Sequence, residues 1–239
     1  MLYKKHLIII CSFLIFLSCK EELKISFSEV SPTTKNNSLV EINIPEAIGI
    51  EVVTTPINEA IQKTVIASLH IGNMDDLQSK SIEESISLFN KEYNTFKNDF
   101  PEAEQPWEAQ VDGDIMFQSS EIISIVITSY KDTGAAHGLL NISFLNFETE
   151  TGKLIQNDKL ISNIGAFKTI AQAHYEKALE EKDIVTNAEA FDLPKNIAYS
   201  EEGVILLYNL FQTEPYATEI IEFTIPFEEV ASYLVFNSL

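Results

Sequence analysis

Apolar and polar residues fall into two rhythms along this chain, alternation and recurrence every three or four positions, and the rhythms place the elements. Residues 24–30 alternate weakly and predict an edge strand; residues 39–44 alternate clearly and predict a second strand. Thr55 and Pro56 resemble an N-cap with proline at the first helical position. Ile57, Ile61, Val65 and Leu69 then recur every four residues and carry a helix to His70. The clearest helix is predicted over 81–100. Ser81 supplies a cap, Glu84 stands at the capping-box position, and Pro101 ends the run. Its stripe of Ile82, Ile86, Phe89, Tyr93, Phe96 and Phe100 has the spacing of a core face. Residues 107–117, 121–130 and 139–148 predict an antiparallel meander, the middle strand rich in β-branched side chains. A glycine-rich connection joins the last two, and a turn follows at 149–153. A helix is predicted over 164–181, with Phe167, Ala171, Tyr175 and Ala178 inward. Strands follow over 196–210 and 219–225, and Pro226 opens a short helix through Glu228, Val230 and Leu234.

The N-terminus obeys a different rule. Lys4 and Lys5 precede an apolar run from Leu7 to Leu17, 11 residues long with Ser12 its one polar residue. A spanning helix needs about 20, so a secretory signal fits better than a membrane span. The run closes on Leu17-Ser18-Cys19, which resembles the lipobox of bacterial lipoproteins. That resemblance implies cleavage before Cys19, lipid on its thiol and a tethered mature protein. Cys19-Lys20-Glu21-Glu22 is similar to the surface-export signal of Bacteroidetes lipoproteins, and equally to the start of a solvated linker.

Charge narrows the choice of partner. The chain carries 36 acids against 16 lysines and no arginine, a formal net charge of −20; loss of Lys4 and Lys5 makes it −22. Phosphate neutralisation needs basic side chains, so nucleic acid is excluded as a partner. A cationic partner would be steered toward the domain, with strong salt dependence. Acidity also serves simply to keep an exported protein soluble. Cys11 leaves with the signal, so the mature chain has no cysteine pair and must rely on its core.

Two stretches resemble known domains in a known order. Residues 39–130, with Val40-Glu41-Ile42-Asn43-Ile44-Pro45, Ile57-Asn58-Glu59-Ala60-Ile61 and the aromatic-striped helix, resemble the PdaC-type accessory domain. Residues 134–236 resemble the domain that usually follows it, as in RsiV-type anti-sigma factors. The matching pieces are Gly134-Ala135-Ala136-His137-Gly138, Phe147-Glu148-Thr149-Glu150-Thr151-Gly152-Lys153, Gly203-Val204-Ile205-Leu206-Leu207-Tyr208, Pro215-Tyr216-Ala217 and Ile225-Pro226-Phe227. The resemblance implies an extracytoplasmic, noncatalytic module, which in the anti-sigma factors binds lysozyme. No deacetylase domain follows Leu239 and no transmembrane helix precedes Cys19, so deacetylation and sigma-factor control are not carried over.

Candidate chemistry is sparse. His137 lies between small residues, where an imidazole can act as acid, base or ligand. Gly134 and Gly138 are also what a tight inter-strand turn demands. Pro215 and Tyr216 form either an exposed aromatic loop or a packed hairpin end. Three histidines remain in the mature chain, His70, His137 and His174, without metal-ligand spacing. Asp112-Gly113-Asp114 lacks the rest of a calcium loop and reads as a turn with two solvated acids. No metal and no cofactor is expected.

The expected architecture is α+β, antiparallel sheets packed by helices in two closely associated domains. Their bounds are a signal at 1–18, a lipidated tether at 19–38, a PdaC-like domain at 39–130 and an RsiV-like domain at 131–239. The expected function is noncatalytic binding at the cell envelope: an outer-membrane lipoprotein anchored through Cys19 and binding a lysozyme-like protein or peptidoglycan glycan. The alternatives are an enzyme on envelope glycans with His137 as acid–base, and a passive structural lipoprotein.

Overall fold

The computed structural model describes residues 25–103, 105–135, 137–184, 191–209 and 220–237. Cys19, Pro215 and Tyr216 lie outside them. The chain opens with β1 (Ser26–Val30) and β2 (Val40–Ile48), continues through α1 (Glu51–Leu69) and α2 (Ile82–Asp99), and then forms β3 (Glu108–Gln118), β4 (Ile122–Asp132) and β5 (Leu139–Glu148). After these come α3 (Ile164–Glu181), β6 (Asn196–Tyr199), β7 (Gly203–Asn209), β8 (Ile220–Pro226) and the single-turn α4 (Phe227–Val230). The class is α+β, with a five-stranded sheet ordered β1-β2-β3-β4-β5 and a three-stranded sheet ordered β6-β7-β8.

One pairing departs from the antiparallel expectation: β2 and β3 run parallel over Val40–Asn43 and Ala109–Asp112. Parallel neighbours need a crossover of a dozen residues or more, and α1 and α2 supply it. Ile57, Ile61 and Val65 of α1 and Ile86 and Phe89 of α2 are buried with Ile123, Ile125 and Ile127 of β4, forming the first core. The aromatic stripe belongs to this core. Phe89, Tyr93 and Phe96 place their rings 5.9, 5.8 and 5.2 Å from Trp107.

Helix ends follow local chemistry. Ser81 accepts a hydrogen bond from Glu84 N at 3.1 Å, while Glu84 Oε2 accepts from Lys80 N at 2.7 Å. The capping box is therefore closed, one residue further back than its usual backbone partner. Helix α1 begins at Glu51, not at Pro56. Burial of Val53 and Thr54 draws an extra turn onto the core. The carbonyl that Pro56 leaves without an N–H belongs to Val52, which is 75% exposed.

The predicted strand over 196–210 is two strands. Ser200 Oγ accepts from the backbone N–H of Glu202 and of Gly203, at 3.3 and 3.2 Å, and turns the chain between β6 and β7. The second core lies under α3 and α4. Phe167, Tyr199, Leu206 and Ile225 are buried there with Phe117 and Ile122, which come from the first sheet.

Asparagines join the two sheets. Asn196 accepts from Phe144 N at 3.1 Å and donates to Ile142 O at 2.9 Å, so its amide acts as a short strand against the edge of β5. Asn146 donates to Ile197 O at 2.7 Å and accepts from Ser124 Oγ at 2.6 Å; Ser124 Oγ in turn accepts from Tyr199 N at 3.1 Å. This network is buried, where an unpaired polar group is costly.

Candidate functional site

The β4–β5 connection stands at one end of the five-stranded sheet, beside the start of β2. Asp132, the last residue of β4, is buried and aims its carboxylate back into the loop. Oδ1 accepts from Gly134 N at 2.8 Å and Oδ2 from Gln105 Nε2 at 3.0 Å. This is the Asx turn that an Asp-Thr-Gly sequence favours. Gly134 has φ of +80°, which a side chain would strain, and it lies over the edge of Trp107. At Gly138 a Cβ would fall 2.3 Å from the Tyr130 ring, so the ring rests directly on this glycine. Gly134 is thus required by its backbone conformation, while a side chain at Gly138 would displace the end of the Tyr130 ring.

His137 is exposed at the tip, with Nδ1 3.3 Å from the Gly138 carbonyl. That contact is long and local. Asp132, the nearest carboxylate in sequence, orients Gly134 and Gln105 rather than the imidazole. Nearby, Lys131 donates to the His70 carbonyl, and burial pushes its ammonium pKa below the ordinary lysine value. The loop therefore presents an exposed imidazole beside an Asp132–Gly134 turn. Among the described residues of the loop, the Asp132 carboxylate is engaged by Gly134 and Gln105 and is not directed at the imidazole.

The structure brings His137, Gly134 and Gly138 together in this loop. His174, on α3, is elsewhere: its Nε2 lies 3.0 Å from Glu229 Oε2 and its ring stacks on Phe223 at 6.3 Å. Sequence reading gave this pair no role, because its members are 55 residues apart and only α3 packing beside α4 brings them together. Asp132 and Gln105 were also missed as builders of the loop; the Asp-Thr-Gly run was the available signal. Among the described residues no group of three or more His, Cys, Asp or Glu is placed to hold a metal ion.

A second concavity of about 340 Å³ lies between the β1–β2 pair and α1, lined by Pro32, Pro45, Glu46, Glu59 and Gln62 among others. Its lining mixes carboxylates, amides and proline and aliphatic side chains.

Two sheets, of five and three strands, linked by asparagine hydrogen bonds and packed by helices, define an α+β protein. The profile of the family described as deacetylase PdaC matches residues 33–140, and the profile of the family described as a protein of unknown function, DUF3298, matches residues 153–228. A region similar to the PdaC family is thus followed by one similar to the DUF3298 family. Solved DUF3298 family structures share the fold. One from Pseudomonas aeruginosa PAO1 is 17% identical, with a TM-score of 0.58 over 90% of this chain and 95% of its own. One from Bacteroides fragilis is 15% identical, with a TM-score of 0.60 over 90% of this chain and 94% of its own. No curated protein matches the chain.

Proposed function

We propose that this protein is a noncatalytic envelope lipoprotein, anchored in the outer membrane through lipid on Cys19, that binds a cationic cell-wall-active protein of the lysozyme kind. The observation that supports the reading is an exposed histidine beside a hydrogen-bonded turn on a strongly acidic chain. Asp132 accepts from Gly134 N in the turn before His137, the imidazole is exposed, and the whole chain has a formal charge of −20. Preorganised loops lose little entropy on binding, and net charge of this sign raises the encounter rate with a cationic partner. A c-type lysozyme titrated into residues 20–239 tests the reading. Complex formation at physiological salt is expected, and its absence overturns the proposal.

The groove between β1–β2 and α1 favours a second reading, a wall glycan as ligand. Glu46, Glu59 and Gln62 offer hydrogen-bond partners to sugar hydroxyls, and Pro32 and Pro45 offer apolar faces. Binding of peptidoglycan fragments that is lost in Gln62→Ala but kept in His137→Ala is the outcome that selects it. An enzyme on envelope glycans would instead lose turnover in His137→Ala with its fold intact.

A further inference from the structure

We infer that the turn from β2 into α1 is a membrane-contacting surface, seated in the interfacial zone of the bilayer that holds the lipid anchor. The inference rests on the lipidation of Cys19 proposed above.

The turn exposes large apolar side chains in a short span. Ile48 is 49% exposed, Ile50 55% and Val52 75%. Leu154, 44% exposed, follows two residues after Gly152, which is packed against the Val53 carbonyl. Isolated exposed apolar residues need no account, but a contiguous group marks a contact surface. Ala47 and Val53, on the same elements beside these residues, are buried. The exposed residues are therefore turned outward by the register of β2 and the first turn of α1.

The chain itself says what lies against them. Ser26, the first residue of β1, pairs with Ile48 in the antiparallel register, a Cα separation of about 5 Å. Cys19 is seven residues upstream of Ser26, a span of at most about 25 Å. A thioether-linked lipid on Cys19 therefore holds the Ile48–Val52 turn within reach of the bilayer. Ile25, the first described residue, leads into β1 at this end of the sheet. Partitioning of a few apolar side chains adds to an anchor that already supplies the effective concentration. Glu46 precedes the turn and Glu51 stands within it, both exposed, so contact is expected with zwitterionic lipid and is weakened by anionic lipid.

The same geometry fixes the orientation of the candidate loop. Ile48, Gln118 and Ile122 lie at the membrane end of the five-stranded sheet; Val40, Asp132 and Leu139 lie at the opposite end. Strand β4 has 11 residues, a rise of about 33 Å. With the Ile48–Val52 turn on the bilayer, His137 is carried to the far side, where a soluble partner meets it.

The test uses the full-length lipoprotein, processed in cells and reconstituted in phosphatidylcholine vesicles. Cys19 is occupied by lipid and Cys11 is removed, so Val52→Cys and, separately, Leu139→Cys each carry one free thiol for an environment-sensitive fluorophore. Nitroxide-labelled lipid is expected to quench the Val52 probe at least about threefold more than the Leu139 probe. Equal quenching at the two positions overturns the docking, as does concentration-dependent crosslinking of the Val52 probe to a second copy without quenching. Intact mass of the extracted protein separates the two levels. A lipid-modified chain without differential quenching rejects the docking alone; an unmodified Cys19 rejects the anchor and the docking with it.

Discussion

Single residues decide the tight places in this fold, and two glycines show how differently. Gly134 and Gly152 both have positive φ, +80° and +68°. A side chain at either costs about 1–2 kcal/mol in backbone strain. At Gly134 the added Cβ would meet nothing nearer than Trp107 Nε1 at 3.6 Å; at Gly152 it would fall 1.9 Å from the Val53 carbonyl oxygen. Gly152→Ala must also push α1 away from the turn, at a further cost of about 1–3 kcal/mol. The expected order in thermal unfolding is therefore wild type, then Gly134→Ala, then Gly152→Ala clearly lowest. Equal melting temperatures for the two variants would contradict this contact. The role of His137 is set at the same scale: its accessibility depends on neighbours that hold the loop, not on a partner for the ring.

At the scale of elements, the junction between β5 and β6 is made by side-chain amides instead of a strand ladder. Asn146 is 1% exposed and bridges Ser124 to the Ile197 carbonyl. Asn146→Ala leaves two buried groups short of a partner and is expected to cost about 1–3 kcal/mol per group in urea unfolding. An unchanged midpoint would mean the units are held by apolar packing alone. The same junction shows what the sequence could and could not reveal. Residues 139–148 and 164–181 were legible to the residue, because alternation and helical recurrence are local properties. The start of α1 was not, because burial of Val53 and Thr54 against a core built from distant strands outweighed the proline signal at Pro56. The break at Ser200 was hidden by the apolar run around it, although Ser-Glu-Glu-Gly is turn chemistry. The parallel β2–β3 pair was illegible, since strand direction depends on where the chain returns after two helices. Of the candidate site, the loop and its glycines were readable; Asp132 as its builder and the His174–Glu229 pair depend on folding.

At the scale of the whole molecule, the second core links stability to pH. Burial raises the Tyr199 phenol well above its ordinary value of 10.0, and burial together with Tyr175 and Asp192 raises that of Tyr208. Below about pH 10 both tyrosines are protonated whether the chain is folded or not, and this contribution to stability is complete. Above that, the unfolded chain releases the protons while the folded chain retains them, so stability falls as pH rises. The expected result is a denaturant midpoint that drops from about pH 9 to about pH 11, with a shallower drop in Tyr199→Phe. A midpoint that stays level across this range would contradict the burial of the two phenols.

Charge acts at the same scale. An acidic body of net charge −20 without arginine attracts cationic proteins generally, so attraction alone is no sign of a receptor. A specific interface adds contacts that salt does not screen. The most direct measurement is therefore calorimetric titration of residues 20–239 with a c-type lysozyme at about 0.02 M and about 0.15 M salt, ionic strengths that bracket strong and ordinary screening. A saturable one-to-one complex that weakens with salt but persists at the higher concentration, and weakens further when the loop is altered by Gly134→Ala, is the predicted result. Heat that disappears at the higher salt, with no effect of the loop variant at the lower, would reduce the interaction to unspecific charge attraction and contradict the proposed function.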